Sequence, residues 1–149
     1  MKISYNWLKK YLDFDLDHNS VAEILTDLGL EVEGISAYES IPGSLKGVVV
    51  GKITSLKKHP NADRLKITTV DIGEKDELQI ICGAPNVKNK LTVAVATNGT
   101  TLYPNDEKLE IKKAEIRGEL SNGMICGEDE LNLSPSTNGI MILDEKIKA

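Results

Sequence analysis

Residues 91–96 read Leu-Thr-Val-Ala-Val-Ala, an apolar stretch in which larger and smaller side chains alternate. Because successive side chains of a strand point to opposite faces of its sheet, Leu91, Val93 and Val95 should share one face and the alanines the other. A strand with a large face and a small face suits the curved sheet of a small barrel, whose inner layer must taper. The stretch therefore predicts a barrel strand.

Comparable short runs lie on both sides of this stretch, with turn-forming residues between them. Turns are indicated at Asp71-Ile72-Gly73-Glu74, Asn98-Gly99 and Pro104-Asn105-Asp106. The predicted strands are Val48–Lys57, Leu65–Ile72, Leu78–Cys82, Leu91–Thr97 and Gly139–Leu143, with Leu109–Ile116 as a weaker candidate. Five or six short strands in about 100 residues favour a closed or nearly closed Greek-key barrel, and a flat sandwich is the alternative.

The first 40 residues have a helical pattern. A short apolar stripe follows a plausible N-cap at Ser4, and its members are Trp7, Leu8, Tyr11 and Leu12. A second stripe follows Ser20 and Glu23, which have the spacing of a capping box, and it ends at Gly29, the expected C′ glycine. Residues Leu30 to Tyr38 are predicted to be extended.

A Pro-Gly pair at residues 42–43 marks a boundary between this segment and the strands. We therefore divide the chain into a helical lead-in, residues 1–40, and a barrel domain, residues 41–149. Two short helices and a strand are too small to form their own core. An exposed apolar patch is expected there, made of Trp7, Leu8, Leu25 and Leu28.

Composition excludes several classes of protein. The 149 residues contain no apolar run of about 18 residues, so no membrane span and no membrane partner are predicted. The N-terminus turns polar too soon for a signal peptide, which favours the cytoplasm. Cys82 and Cys126 lie far apart and outside any CxxC pair, which indicates buried free thiols rather than a disulfide.

The sequence shows no sign of catalytic chemistry. Neither GxGxxG nor GxxxxGK[ST] occurs, so no phosphate-binding glycine loop is predicted. His59, Cys82 and Cys126 are spaced unlike any known set of zinc ligands. The acidic run at residues 128–130 is typical of a solvated loop rather than a cation site. We expect no active site, cofactor or metal within this chain.

The charge is unevenly distributed. The chain has a formal net charge of −5, and residues 1–45 alone hold three basic and eight acidic side chains. Residues 46–66 instead hold six basic side chains against Asp63 alone. Such a basic edge could meet the phosphates of a nucleic acid, although a solvated strand edge protected by lysines has the same composition.

Three segments combine turn formers with side chains that donate hydrogen bonds. They are His59-Pro60-Asn61-Ala62-Asp63-Arg64-Leu65, Cys82-Gly83-Ala84-Pro85-Asn86-Val87 and Arg117-Gly118-Glu119-Leu120-Ser121-Asn122-Gly123-Met124-Ile125-Cys126. Each could be a tight barrel corner chosen for backbone conformation, or a loop that lets a ligand approach the backbone.

In this order, the three segments resemble the signatures of the tRNA-binding OB-fold domain found in several aminoacyl-tRNA synthetases and in free-standing tRNA-binding proteins. The opening residues Met1 to Tyr11 and Leu28-Gly29-Leu30-Glu31-Val32-Glu33 are similar to the start of bacterial phenylalanyl-tRNA synthetase β subunits. One departure is Cys126-Gly127-Glu128, where the family usually has a Cys-Ser-Glu-like run; it puts polar contacts at that corner in doubt.

The resemblance implies an OB-fold barrel preceded by a small α+β segment, within the amino-terminal part of a longer β subunit. It implies that the lead-in is half of a split domain whose partner segment follows the barrel. It also implies tRNA, here tRNA(Phe), and a synthetase α subunit in an α2β2 assembly as partners, with no DNA partner. Aminoacylation, with its ATP and magnesium, would belong to the α subunit of the parent enzyme, and editing to a later β-subunit domain.

The residues expected to meet RNA fall into two groups. Phosphate contacts are predicted for Lys57, Lys58, Arg64 and Lys66, and other contacts for Asn61, Asn86, Arg117, Ser121, Asn122 and Met124, the last as an apolar contact or a core anchor. His59 is expected to brace its turn. Of the six aromatic residues only Tyr103 lies in the barrel, which disfavours single-strand binding by stacking and favours folded RNA. The alternatives are a scaffold domain with little tRNA contact, or a free-standing tRNA-binding protein.

Overall fold

The computed structural model describes residues 1–135 and 138–147. The chain separates into two compact units, Met1–Tyr38 and Glu39–Ala149. Within the described residues no helix is long and apolar enough to cross a membrane.

The first unit contains two helices, α1 (Tyr5–Leu8) and α2 (His18–Asp27). Ser4 caps α1 as predicted, its hydroxyl accepting from the Trp7 N–H. The predicted capping box at Ser20 is wrong. Helix α2 begins earlier because the Asp17 carboxylate accepts from the N–H groups of Asn19 and Ser20. These backbone hydrogen bonds, that of Ser20 first, lower the pKa of Asp17.

The end of α2 follows the prediction, since Gly29 lies beyond the Leu28 C-cap with φ +90°. The predicted extended segment, Leu30 to Tyr38, forms no strand. Instead, the Thr26 hydroxyl accepts from the Val32 N–H and keeps the chain beside the helix end.

None of the residues in the first unit is fully buried. Of the predicted apolar patch, Trp7 and Leu28 are 52% and 75% exposed, while Leu8 and Leu25 are half-buried. This agrees with the expectation that two short helices cannot build a core alone.

The second unit is a barrel of antiparallel strands. Its longer strands are β1 (Val48–His59), β2 (Ala62–Asp71), β3 (Leu78–Cys82) and β4 (Thr92–Thr97). The shorter strands are β5 (Thr101–Leu102), β6 (Leu109–Glu110), β7 (Ala114–Ile116), β8 (Glu119–Ser121), β9 (Gly123–Ile125) and β10 (Ile142–Leu143). Short 3-10 turns span Pro42–Leu45 and Pro104–Asp106.

The strand order brings the two edges of the main sheet close together. The main path is β10-β4-β1-β2-β3, and β9 also pairs with β4. The opposite edge, β3, is met by the β8–β9 segment, where the Asn122 N–H donates to the Gln79 carbonyl at 2.8 Å. A nearly closed barrel results. The predicted mainly-β, OB-fold architecture preceded by two short helices is confirmed, and the flat sandwich is not.

Several strand boundaries differ from the prediction. The candidate Leu109–Ile116 divides into β6 and β7, which pair with different partners. Of Gly139–Leu143 only the last two residues form a strand. Strands β8 and β9 were missed because each has three residues and they are interrupted at Asn122.

The two faces of β4 contribute to separate apolar clusters, as its alternating pattern indicates. Val93 and Val95 lie in the barrel interior with Ile53, Val70 and Ile80. The alanines pack in a second cluster, which also contains Leu102, Ile111, Cys126 and Leu131. Large side chains fill the barrel, and small ones let the neighbouring segments approach β4 closely.

Candidate nucleic-acid interface

The turn between β1 and β2 carries a group of exposed cations. Lys57, Lys58 and Arg64 are all exposed, and Lys58 lies opposite Lys66 in the strand register. Because adjacent side chains point to opposite faces of a strand, the exposure of both lysines means that both faces of this hairpin are open to solvent there. Asp63, also exposed, is the acidic residue within the same turn.

His59 holds this turn in place through both nitrogens of its imidazole ring. It is 5% exposed, and its Nδ1 accepts from the Asn61 N–H at 3.1 Å. Its Nε2 lies 3.0 Å from the Ile116 carbonyl oxygen. Since Nδ1 accepts, the ring proton must sit on Nε2 and be donated to Ile116. His59 therefore braces its own turn, as expected, and also contacts β7, where its partner lies 57 residues away. The local sequence does not reveal this second contact.

Asn61 makes a second contact between the same two hairpins. Its Nδ2 donates to the Arg117 carbonyl at 3.0 Å. The β1–β2 and β7–β8 turns therefore lie side by side, held by His59 and Asn61. We call this pair the latched turns, comprising residues 57–64 and 116–119. Their exposed cations are Lys57, Lys58, Arg64 and Arg117.

Lys66 is placed differently from these cations. It is half-buried, and its Nζ donates to the Val87 carbonyl at 3.1 Å. This hydrogen bond ties β2 to the loop after β3. The ammonium group is thus already engaged within the barrel and is less free to meet phosphate than Lys57 or Lys58.

Asn86 lies in the loop after β3 and is half-buried. Its Nδ2 donates to the Ile140 carbonyl at 2.8 Å, and its Oδ1 accepts from the Ile140 N–H at 3.0 Å. The side chain therefore closes the barrel corner against a segment 54 residues away.

Ser121 is 3% exposed and fully engaged. Its hydroxyl accepts from the Ile81 N–H and donates its single proton to the Gly123 carbonyl. It therefore has no proton left to donate to RNA. Asn122 is half-buried, and Met124 packs against the second apolar cluster, which fits the core-anchor alternative.

Gly127, the departure from the family pattern, has a steric explanation. A Cβ there would lie 2.6 Å from Asp129 Oδ1 and 2.7 Å from the Gly139 carbonyl oxygen. The Gly127 N–H donates to the Glu130 carboxylate at 2.6 Å. This corner is therefore closely packed around a residue without a side chain.

Both cysteines are unbonded and buried, as predicted, and burial raises the pKa of each thiol, that of Cys126 to about 12. Among residues 1–135 and 138–147, no three metal-ligating side chains cluster.

Comparisons with known proteins agree with the resemblance seen in the sequence. The family described as "Putative tRNA binding domain" matches residues 48–149. A phenylalanine–tRNA ligase β subunit from Bacteroides fragilis is 50% identical over 145 residues. The same-named proteins of Salinibacter ruber and Chlorobaculum tepidum are 51% and 49% identical.

Each of these three alignments covers 97% of this chain but 18% of the relative. The chain thus spans about a fifth of the length of the curated relatives it matches. Among solved structures, the C-terminal domain of Plasmodium vivax p43 aligns with 52% of this chain and 43% of its own, at 26% identity and a TM-score of 0.41. That score is too low to add to the description of the fold.

Proposed function

We propose, since the chain belongs to the tRNA-binding domain family, that it is the RNA-contacting module of a phenylalanine–tRNA ligase β subunit. In this role it binds the folded surface of tRNA(Phe) and supports the ATP- and magnesium-dependent attachment of phenylalanine, carried out elsewhere in the enzyme. The proposal includes the synthetase α subunit as a partner, in an α2β2 assembly, and a cytoplasmic location; the relatives' description as β subunits supports a subunit partner.

The observation that carries the proposal is the group of four exposed cations on the latched turns. Exposed lysine and arginine side chains meet phosphates without reading sequence, and they fix a protein on a nucleic acid backbone. In OB folds, the loop between the first two strands also borders the usual binding face.

The mode of binding follows from what the barrel offers. Tyr103 is its one aromatic residue, and it is half-buried with its ring beside Gly43. Base stacking, which holds single strands on OB folds, therefore has little support here. Contacts with phosphates and 2′-hydroxyl groups, which suit folded RNA, fit the surface better.

The test compares two triple variants in tRNA titrations. K57Q/K58Q/R64Q removes cations from the latched turns, and K75Q/K108Q/K113Q removes three exposed lysines from other loops. Each lost phosphate contact should make the slope of log association constant against log salt less negative by about 0.7–0.9. The slope of the first variant should therefore be less negative by about 2–3, and the slope of the control should hardly change. Equal effects in the two variants would overturn this placement of the interface.

A second candidate is a scaffold role within the synthetase with little tRNA contact. It is favoured by the internal use of Lys66, Asn86 and Ser121, whose polar groups bind the barrel itself. An intact phenylalanine–tRNA ligase carrying K57Q/K58Q/R64Q in its β subunit separates the two. Unchanged charging of tRNA supports the scaffold, and a raised KM for tRNA supports RNA contact.

A further inference from the structure

The β7–β8 turn contains an arginine in a conformation that arginine disfavours. Ile116 pairs with Glu119, and the two residues between them, Arg117 and Gly118, have φ of +51° and +92°. Positive φ at both central residues is the pattern of a type I′ hairpin turn, in which asparagine followed by glycine is the preferred pair. Residues with an ordinary side chain are strained in this left-handed region.

The strained backbone is held from outside the turn. Asn61 donates to the Arg117 carbonyl, and His59 donates to the carbonyl of the preceding residue, Ile116. The Arg117 side chain takes no part in this arrangement. It is exposed, and the guanidinium makes no salt bridge to any residue in 1–135 or 138–147.

The carboxylates near the β7–β8 turn leave the Arg117 guanidinium available to bind a phosphate. The carboxylate of Glu119 is half-buried and accepts a hydrogen bond from Gln79 Nε2 at 3.4 Å, on the side toward β3. Glu115 and Asp63 are exposed in or beside the two turns, and within the described residues neither forms a salt bridge with Arg117.

We infer that Arg117 is a dedicated phosphate-binding residue, and that His59 and Asn61 are positioning residues that hold its turn beside the lysines of the β1–β2 turn. This inference rests on the proposed function and deepens it. Asparagine fits a type I′ turn better than arginine does, so the turn itself does not explain Arg117. The planar guanidinium of an arginine can, however, bind a phosphate through two hydrogen bonds. Strain kept at an exposed residue points to a role in binding.

The first test uses substitutions that separate stability from binding. Arg117→Asn places the preferred residue in the turn, so its melting temperature should stay the same or rise by about 2–4 °C. Its affinity for tRNA should nevertheless fall roughly 3- to 10-fold. The slope of log association constant against log salt should become less negative by about 0.7–0.9, the value for one phosphate contact. Arg117→Lys, which keeps the charge and the strain, should retain the slope and lose only part of the affinity.

The second test asks whether Asn61 acts through Arg117. Asn61→Ala should weaken tRNA binding about as much as Arg117→Asn does. If Asn61 only positions Arg117, adding Asn61→Ala to Arg117→Asn should change affinity less than twofold. Full additivity of the two losses would show that Asn61 acts independently and would overturn its positioning role.

The outcomes distinguish this inference from the proposed function. If the unsubstituted chain binds tRNA in a salt-dependent way and Arg117→Asn binds equally well, the assignment of Arg117 fails while the proposed function stands. If the unsubstituted chain shows no salt-dependent binding, the proposed function fails, and the role of Arg117 fails with it.

Discussion

Asn86 pairs with the backbone of Ile140 through both ends of its side-chain amide, at 2.8 Å and 3.0 Å. The two residues are 54 positions apart, so this contact closes a loop that contains the whole of β4 to β9. An amide engaged in this way serves first to hold the barrel together.

Asn86→Ala should therefore reduce stability more than binding. Loss of the side chain leaves the N–H and carbonyl of Ile140, a buried residue, without these partners, which costs about 1–3 kcal/mol. Urea unfolding measures this loss. The matched control is Asn98→Ala, an exposed asparagine in the turn after β4, which should change the free energy of unfolding by less than about 0.5 kcal/mol. An unchanged stability with weaker tRNA binding would instead make Asn86 an RNA contact.

Gly51→Ala should overpack the barrel interior. A Cβ on Gly51 would lie 2.7 Å from Val70 Cγ1 and 2.8 Å from Val95 Cγ2. Both valines are fully buried, so neither can move aside without disturbing its neighbours, and a loss of about 1–3 kcal/mol is expected. Gly34→Ala, where a Cβ meets nothing within 4 Å, is the control and should leave thermal unfolding almost unchanged.

Gly127→Ser tests the corner where the chain departs from its family. The new side chain would meet the backbone oxygen of Gly139 at 2.7 Å, and backbone cannot rotate away as a side chain can. We expect lower stability, by about 1–3 kcal/mol, and no gain in tRNA affinity. Tighter tRNA binding by the serine variant would show that the missing hydroxyl mattered.

Stability should fall at high pH because of Cys126. Burial raises the pKa of this thiol from its ordinary 9.0 to about 12, so between these values the unfolded chain loses a proton that the folded chain keeps. The contribution of Cys126 is therefore complete below pH 9 and declines as the pH rises toward 12. Urea unfolding at pH 8 and pH 10 should show a smaller decline for Cys126→Ala than for the unsubstituted chain. Equal declines would contradict this cause.

Much of the barrel could be predicted because its main signals are local. The alternation of valine and alanine in residues 93–96 predicts one face of larger and one of smaller side chains, and in the structure each face packs in its own apolar cluster. Helix α2 shows the limit of local rules. Asp17 and Ser20 both have capping side chains, and the helix starts at the earlier one, which provides an additional turn.

The site was harder to predict because its contacts are distant in sequence. Asparagine and serine are equally compatible with a ligand loop and with a barrel corner. The Ser121 hydroxyl accepts a hydrogen bond from the Ile81 N–H, 40 residues away, and this contact exists only once the barrel has closed. The two hairpins joined by His59 and Ile116 are likewise adjacent only after the strands have paired.

The central claim, that the cations of the latched turns meet the phosphates of tRNA, is tested most directly by the salt dependence of binding. The measurement is the dissociation constant of this chain for tRNA(Phe) between about 50 and 200 mM salt. Contacts from Lys57, Lys58, Arg64 and Arg117 predict that the logarithm of the association constant, the inverse of this dissociation constant, falls against log salt with a slope of about −2 to −4. A slope indistinguishable from zero, or no binding at the lowest salt, would contradict it.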